Sequence, residues 1–230
     1  MNLESTLFIV STPIGNLGDI TLRAIETLKS SDFIICEDTR VTRNLLNHFG
    51  IAKELISLNA FNEQHKIPKL IERITTVTSV ALVSDAGTPG ISDPGVRLIS
   101  ALIRIGVKVV SVPGPSALIS ALSISGLPTD SFIFEGFLPQ KKGRQKLLSK
   151  LAEEDRTIVL YESTYRIEKL LNELNEYMPE RFIVVCRELT KKFEETWRGN
   201  PKEILNTLNT KVIKGEFVVV ISPLNWKSEN

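Results

Sequence analysis

The chain has 230 residues, 42% of them hydrophobic, enough to bury one large core or two smaller ones. A formal net charge of +1 and a pI of about 7.7 exclude a uniformly basic surface, so a nucleic-acid partner would have to be held by local patches. No apolar stretch approaches transmembrane length. The start of the chain lacks the basic and long apolar segments of a secretory leader, so a cytoplasmic protein is expected, with neither membrane nor DNA as partner.

The chain opens with a buried-strand pattern, Leu7-Phe8-Ile9-Val10, that runs into the loop Ser11-Thr12-Pro13-Ile14-Gly15-Asn16-Leu17-Gly18. Asp19 reads as the N-cap of a helix from Ile20 to about Lys29. The loop is neither GxGxxG nor a lysine-bearing phosphate loop, so a nucleotide-phosphate site is disfavoured. Phe33 to Cys36 is a second strand, ending in the charged Glu37-Asp38-Thr39-Arg40, and Val41 to Phe49 a helix closed by Gly50. Glu54 to Leu58 reads as a strand and Asn62 to Ile74 as a loop and helix.

The strand Val80-Ala81-Leu82-Val83 then leads into Ser84-Asp85-Ala86-Gly87-Thr88-Pro89-Gly90-Ile91-Ser92-Asp93-Pro94-Gly95. Three glycines and two prolines let this loop turn sharply and approach something closely. Its two aspartates suit hydroxyls, amines or a cation far better than a phosphate. In open α/β sheets ligands sit outside the carboxyl ends of the strands, so the loop is a candidate ligand site, although capping aspartates in a plain turn would look alike. A helix from Val96, a strand Val107 to Val112, the rigid Pro113-Gly114-Pro115-Ser116-Ala117 and a small-residue helix to Ser125 follow.

Alternation of strands and helices through residue 112 predicts a mostly parallel sheet. The character of the sequence shifts at Gly126-Leu127-Pro128-Thr129-Asp130, and the second half mixes hairpin and crossover connections, which predicts a mixed sheet. The expected architecture is two α/β domains, 1–114 and 115–230. The basic run Lys141, Lys142, Arg144, Lys146 and Lys150 fits either a solvated helix face or phosphate contacts. Cys36 and Cys186 each end an apolar run and read as core residues of a reducing compartment, and two histidines make no metal constellation.

Seven stretches, in order, resemble the ribosomal RNA cytidine 2′-O-methyltransferase branch of the tetrapyrrole-methylase superfamily. They are 11–21, Glu37 to Arg40, Ser84 to Gly95, Val112 to Pro115, Glu135-Gly136-Phe137-Leu138-Pro139, Tyr161-Glu162-Ser163 and Arg187-Glu188-Leu189-Thr190-Lys191. The resemblance covers nearly the whole chain. It implies a homodimer of two-domain subunits with S-adenosylmethionine in an interdomain cleft. It also implies methyl transfer to the ribose 2′-oxygen of a cytidine in 16S rRNA of the small ribosomal subunit.

By that similarity, Pro13, Ile14, Gly15, Asp85, Ala86, Gly87, Thr88, Ser116 and Ala117 would hold the cofactor, with Tyr161, Phe217 and Val218 around its adenine. An acidic, glycine-rich rim agrees, since the cofactor is a sulfonium bearing an amine and ribose hydroxyls. Glu37, Asp38, Arg40, Glu162, Glu188 and Lys191 are the catalytic candidates, with the base among them left open. Lys141, Lys142, Arg144, Lys146, Arg166, Arg187 and Lys192 are the RNA-contact candidates, against the plainer reading of rim ion pairs. Two departures from the family stand out: Tyr165 where a histidine is common, and the expected absence of a small C-terminal extension. The rival readings are a methyltransferase of a tetrapyrrole small molecule and a non-enzymatic ligand-binding regulator on the same scaffold.

Overall fold

The structure, a computed structural model, describes residues 5–211 and 213–227. It divides into two compact units, Met1–Ser116 and Ala117–Asn230.

The first unit runs β1 (Thr6–Val10), α1 (Leu22–Ser30), β2 (Phe33–Cys36), α2 (Thr39–His48), β3 (Leu55–Ser57), α3 (Glu63–Ile74), β4 (Ser79–Leu82), α4 (Val96–Arg104) and β5 (Lys108–Val112). The strands pair in the order β3-β2-β4-β1-β5, and every pairing is parallel. Both faces of this sheet are buried, which is why its strands read as continuous apolar runs rather than alternations. Leu7, Ile9, Phe33, Ile35, Val80 and Leu82 pack on one side with Leu70, Ile74, Leu98 and Leu102 of α3 and α4. Val10, Ile34, Cys36, Ala81 and Val83 pack on the other with Ala24, Leu28 and Leu46 of α1 and α2. Parallel strands all end at the same edge, so the loops after β1, β2, β4 and β5 gather on one rim.

Helix α1 starts later than expected. Asp19 closes a 3-10 turn (Leu17–Asp19), and Thr21 is the N-cap, its Oγ1 accepting from Ala24 N at 3.1 Å. A cap serves the amides two or three residues after it, which Asp19, two residues further out, does not reach. Asp38 caps α2, so that helix begins at Thr39 rather than Val41.

The second unit runs α5 (Ala117–Ser125), β6 (Phe132–Phe137), α6 (Arg144–Ala152), β7 (Thr157–Ser163), α7 (Ile167–Tyr177), β8 (Ile183–Arg187), β9 (Glu195–Gly199), α8 (Pro201–Leu208) and β10 (Glu216–Ile221). The strand order is β6-β7-β10-β8-β9, parallel between β6 and β7 and antiparallel elsewhere, the mixed sheet expected. One face, including Ile158, Leu160, Ile183, Val185, Phe217 and Val219, is covered by α6, α7 and α8, while α5 packs on β10. The composition shift at 126–130 falls inside this unit, between α5 and β6, because the apolar α5 supplies cover for the second sheet.

Candidate active site

The rim of the first unit is tied together by short polar contacts. Thr12 and Gly87 exchange two backbone hydrogen bonds, 2.9 and 3.0 Å, bridging the loops after β1 and β4. Ser11 Oγ lies 2.9 Å from Thr88 Oγ1, Thr12 Oγ1 donates to Ser84 O at 3.1 Å, and Thr88 Oγ1 to Pro115 O at 3.3 Å. Two glycines make this closeness possible. Gly87 has φ of 78°, in the left-handed region, and a Cβ on Gly114 would lie 3.0 Å from the Ser11 Cβ.

Four carboxylates collect beside this bridge. Asp85 Oδ1 accepts from Asp38 N at 3.0 Å, joining the loops after β4 and β2. Burial raises the Asp85 carboxyl above its ordinary range, partly offset by that amide. Asp93 is pushed up to about 6 by burial, against a hydrogen bond with Ser84, with the Asp85 charge adding to the rise. Glu37 is raised by burial first and then by the charges of Asp85, Asp93 and Asp38. Asp38 behaves oppositely. It caps α2 through Arg40 N, and the Arg40 guanidinium at 2.6 Å holds it down to about 2. A pocket of about 250 Å³ opens here, lined by Thr12, Pro13, Leu17, Val41, Leu45 and Asp85 among others.

The structure sorts the remaining sequence candidates. Of the cofactor residues, Pro13, Ile14, Gly15, Asp85, Ala86, Gly87 and Thr88 lie in the loops after β1 and β4, and Ser116 follows β5. Ala117 begins α5. Tyr161 accepts a hydrogen bond from Leu118 N at 3.1 Å and meets Phe134 and Phe137 edge-on. Phe217 is a correction. Its ring is buried in the second unit's helical core against Trp197, 6.2 Å between centroids, because strand alternation turns it away from the face that Val218 shares with Tyr161.

Three catalytic candidates are likewise engaged in structural pairs. Glu162 is buried, its Oε1 2.8 Å from Arg166 Nε. Glu188, at φ of 50°, receives Lys191 Nζ at 2.9 Å and Glu216 N at 3.0 Å. Burial pushes its carboxyl up, but those two hydrogen bonds outweigh it and leave the group below the usual range. Lys191 also reaches Glu216 at 2.8 Å; burial pulls its ammonium down, and the two carboxylates more than reverse that. A lysine so held keeps its proton and is no base.

Among the RNA candidates, Arg144 is overturned. It is 3% exposed, its guanidinium gripping Glu173 at 2.6 Å and Pro139 O at 3.0 Å. Arg187 is similarly tied, to Lys214 O at 2.7 Å and Glu195 at 3.4 Å. Lys141, Lys142, Lys146 and Lys192 are exposed, and Arg166 is half-buried. Sequence reasoning missed Glu63, which is buried and acts 32 positions away in sequence, its Oε1 accepting from Gly95 N at 3.1 Å to hold the entry of α4. No local motif marks such a contact.

The family model for the tetrapyrrole (corrin/porphyrin) methylases matches residues 6–205. The chain belongs to this family. Its curated relatives named ribosomal RNA small subunit methyltransferase I include that of Vibrio cholerae, 51% identical over 94% of this chain and 76% of the relative. That of Halalkalibacterium halodurans is 45% identical, covering 98% and 78%. That of Thermotoga maritima is 46% identical, covering 94% and 97%. Solved structures share the fold at low identity. Cobalt precorrin-4 methyltransferase superposes with a TM-score of 0.71 at 19% identity, over 95% of both chains, and diphthine synthase with 0.73 at 16%, over 95% and 90%. The uroporphyrin-III C-methyltransferase of Thermus thermophilus, solved with S-adenyl homocysteine, gives 0.65 at 19% identity, over 95% and 98%. Among the described residues no helix is long and apolar enough to cross a membrane.

Proposed function

We propose that this tetrapyrrole-methylase chain transfers a methyl group from S-adenosylmethionine to the ribose 2′-oxygen of a cytidine in 16S rRNA of the small ribosomal subunit. The observation that carries the reading is the rim of the first unit, where carboxylates lie beside hydroxyls and glycine backbone. Such a donor set fits a sulfonium with an amine and ribose hydroxyls and repels a phosphate. The names of relatives at 45–51% identity supply the substrate class.

When bound, S-adenosylmethionine would supply an electrophilic methyl carbon, its sulfonium leaving as a neutral thioether as the sulfur–carbon bond breaks. Asp85, with Ala86, Gly87 and Thr88, would hold the cofactor's polar groups, and Pro13, Ile14 and Gly15 would close over it. The loop bridges at Thr12–Gly87 and Ser11–Thr88 keep these residues fixed, so that alignment of the ribose oxygen is set before reaction. The 2′-hydroxyl must lose its proton as the oxygen–carbon bond forms. We assign that proton to Glu37, the catalytic candidate whose carboxyl burial and neighbouring carboxylates raise above its ordinary range and which has no ion-pair partner among the described residues. Asp38 is too acidic for the role, and Arg40 serves as its clamp.

Exposed Lys141, Lys142, Lys146 and Lys192 would contact phosphates. A homodimer fits the exposed Val96 and Ile103 of α4, and sedimentation of the purified protein reads it directly. Cytoplasmic residence follows from the substrate. The test is genetic: 16S rRNA from cells lacking the chain should have one unmethylated cytidine 2′-oxygen, restored by the parent gene but not by Glu37→Gln. An unchanged methylation pattern would refute the assignment.

A further inference from the structure

We propose that Phe137, Arg166 and Tyr165 form a stacking platform for the bases of single-stranded RNA, flanked by Lys141 and Lys142 as phosphate contacts; this rests on the RNA reading above. The register of β6 shifts between Phe134 and Gly136, and Gly136 takes φ of 60°, so that Phe137 comes opposite Tyr161 at the strand end. There the Phe137 ring is 50% exposed. Tyr161 supports it edge-on, 5.7 Å between centroids. The Arg166 guanidinium lies 5.6 Å from its centroid.

That guanidinium is fixed. Its Nε lies 2.8 Å from the buried Glu162 Oε1 and 3.3 Å from Ser163 Oγ. Next to it in the turn between β7 and α7, Tyr165 is 96% exposed. An exposed ring beside an immobilised planar cation, with a second exposed ring on the residue before that cation, matches what bases stack on, and every base offers a π face.

The loop leaving Phe137 supplies the charge. Arg144, buried, grips Pro139 O and Glu173 of α7, which pins the loop to the helix that follows Arg166. Lys141 and Lys142 lie between those two anchors and are exposed. Arg144 therefore acts as the clamp that presents the lysines rather than as a third phosphate contact. Alternating rings and cations favour a polyanion that also carries bases over an acidic protein surface, which would give the rings nothing flat to stack on.

The test is fluorescence anisotropy of a labelled single-stranded RNA dodecamer, with inorganic polyphosphate as a base-free competitor. Phe137→Leu and Tyr165→Ala should each weaken RNA binding about tenfold without changing its salt dependence or the affinity for polyphosphate, and Tyr165→Phe should bind as the parent does. Lys141→Ala and Lys142→Ala should each flatten the plot of log K against log salt by about 0.7. Parent-like RNA binding by both aromatic variants would overturn the platform, as would equal losses on RNA and polyphosphate. Methyl transfer to small subunits by the parent reads the underlying reaction separately. Transfer without any aromatic effect refutes the platform alone, and base-dependent binding without transfer refutes the reaction alone.

Discussion

Glu37 differs from Asp38 by one position and by everything around it. Asp38 is satisfied by the α2 amides and Arg40, whereas Glu37 sits half-buried among the charges of Asp85, Asp93 and Asp38. The same local sequence thus holds one fixed anion and one carboxylate of raised basicity. Replacing Glu37 by Gln should lower kcat about 100-fold or more while cofactor affinity, read by calorimetry, stays near the parent value. In the parent, the methyl-transfer rate should rise with pH through the raised Glu37 value and then level, because only the deprotonated carboxylate accepts a proton. Asp93 gives a stability prediction of opposite sense. Its folded value of about 6 exceeds the ordinary aspartate value of 3.8, so the folded state binds the proton more tightly and stability falls as pH rises between those values. Asp93→Asn should therefore stabilise the protein by about 1–2 kcal/mol at pH 8 and by much less near pH 4, read by thermal unfolding.

At the scale of elements, two buried polar contacts carry more than their neighbours. Breaking the Arg144–Glu173 pair with Arg144→Ala leaves a carboxylate with its main partner gone and should cost about 3–5 kcal/mol in chemical denaturation, whereas the exposed Lys146→Ala should stay within about 0.5 kcal/mol of the parent. Glu63→Ala removes the acceptor of the buried Gly95 amide and should cost about 1–3 kcal/mol. Most strands and helices were readable because their periodicities are local: Leu7-Phe8-Ile9-Val10 and Phe33 to Cys36 are apolar without alternation, as a doubly covered sheet demands. Caps and pairs were less so. Asp19 and Thr21 are both plausible caps by type, and only the 3-10 turn between β1 and α1 decides for Thr21. Arg144 belongs by spacing to a solvated basic run, and its burial depends on Glu173, 29 positions later. Phe217 falls within a strand that both faces of the sheet make apolar, so its direction could not be read from type.

For the whole molecule, each unit has its own core and its own sheet, parallel in one and mixed in the other, and the acidic rim belongs wholly to the first. That rim was legible as a candidate ligand site because strand, glycine loop and helix recur there in sequence order; which carboxylate would take a proton was not, since it depends on burial and on charges brought together from the separate loops after β2 and β4. The most direct test is transfer of a labelled methyl group from S-adenosylmethionine to small ribosomal subunits purified from cells lacking the chain, with naked 16S RNA alongside and nucleosides resolved after digestion. The account predicts label in 2′-O-methylcytidine with the parent chain and about 100-fold less with Glu37→Gln. Tight cofactor binding by the parent with no label in either RNA would contradict it.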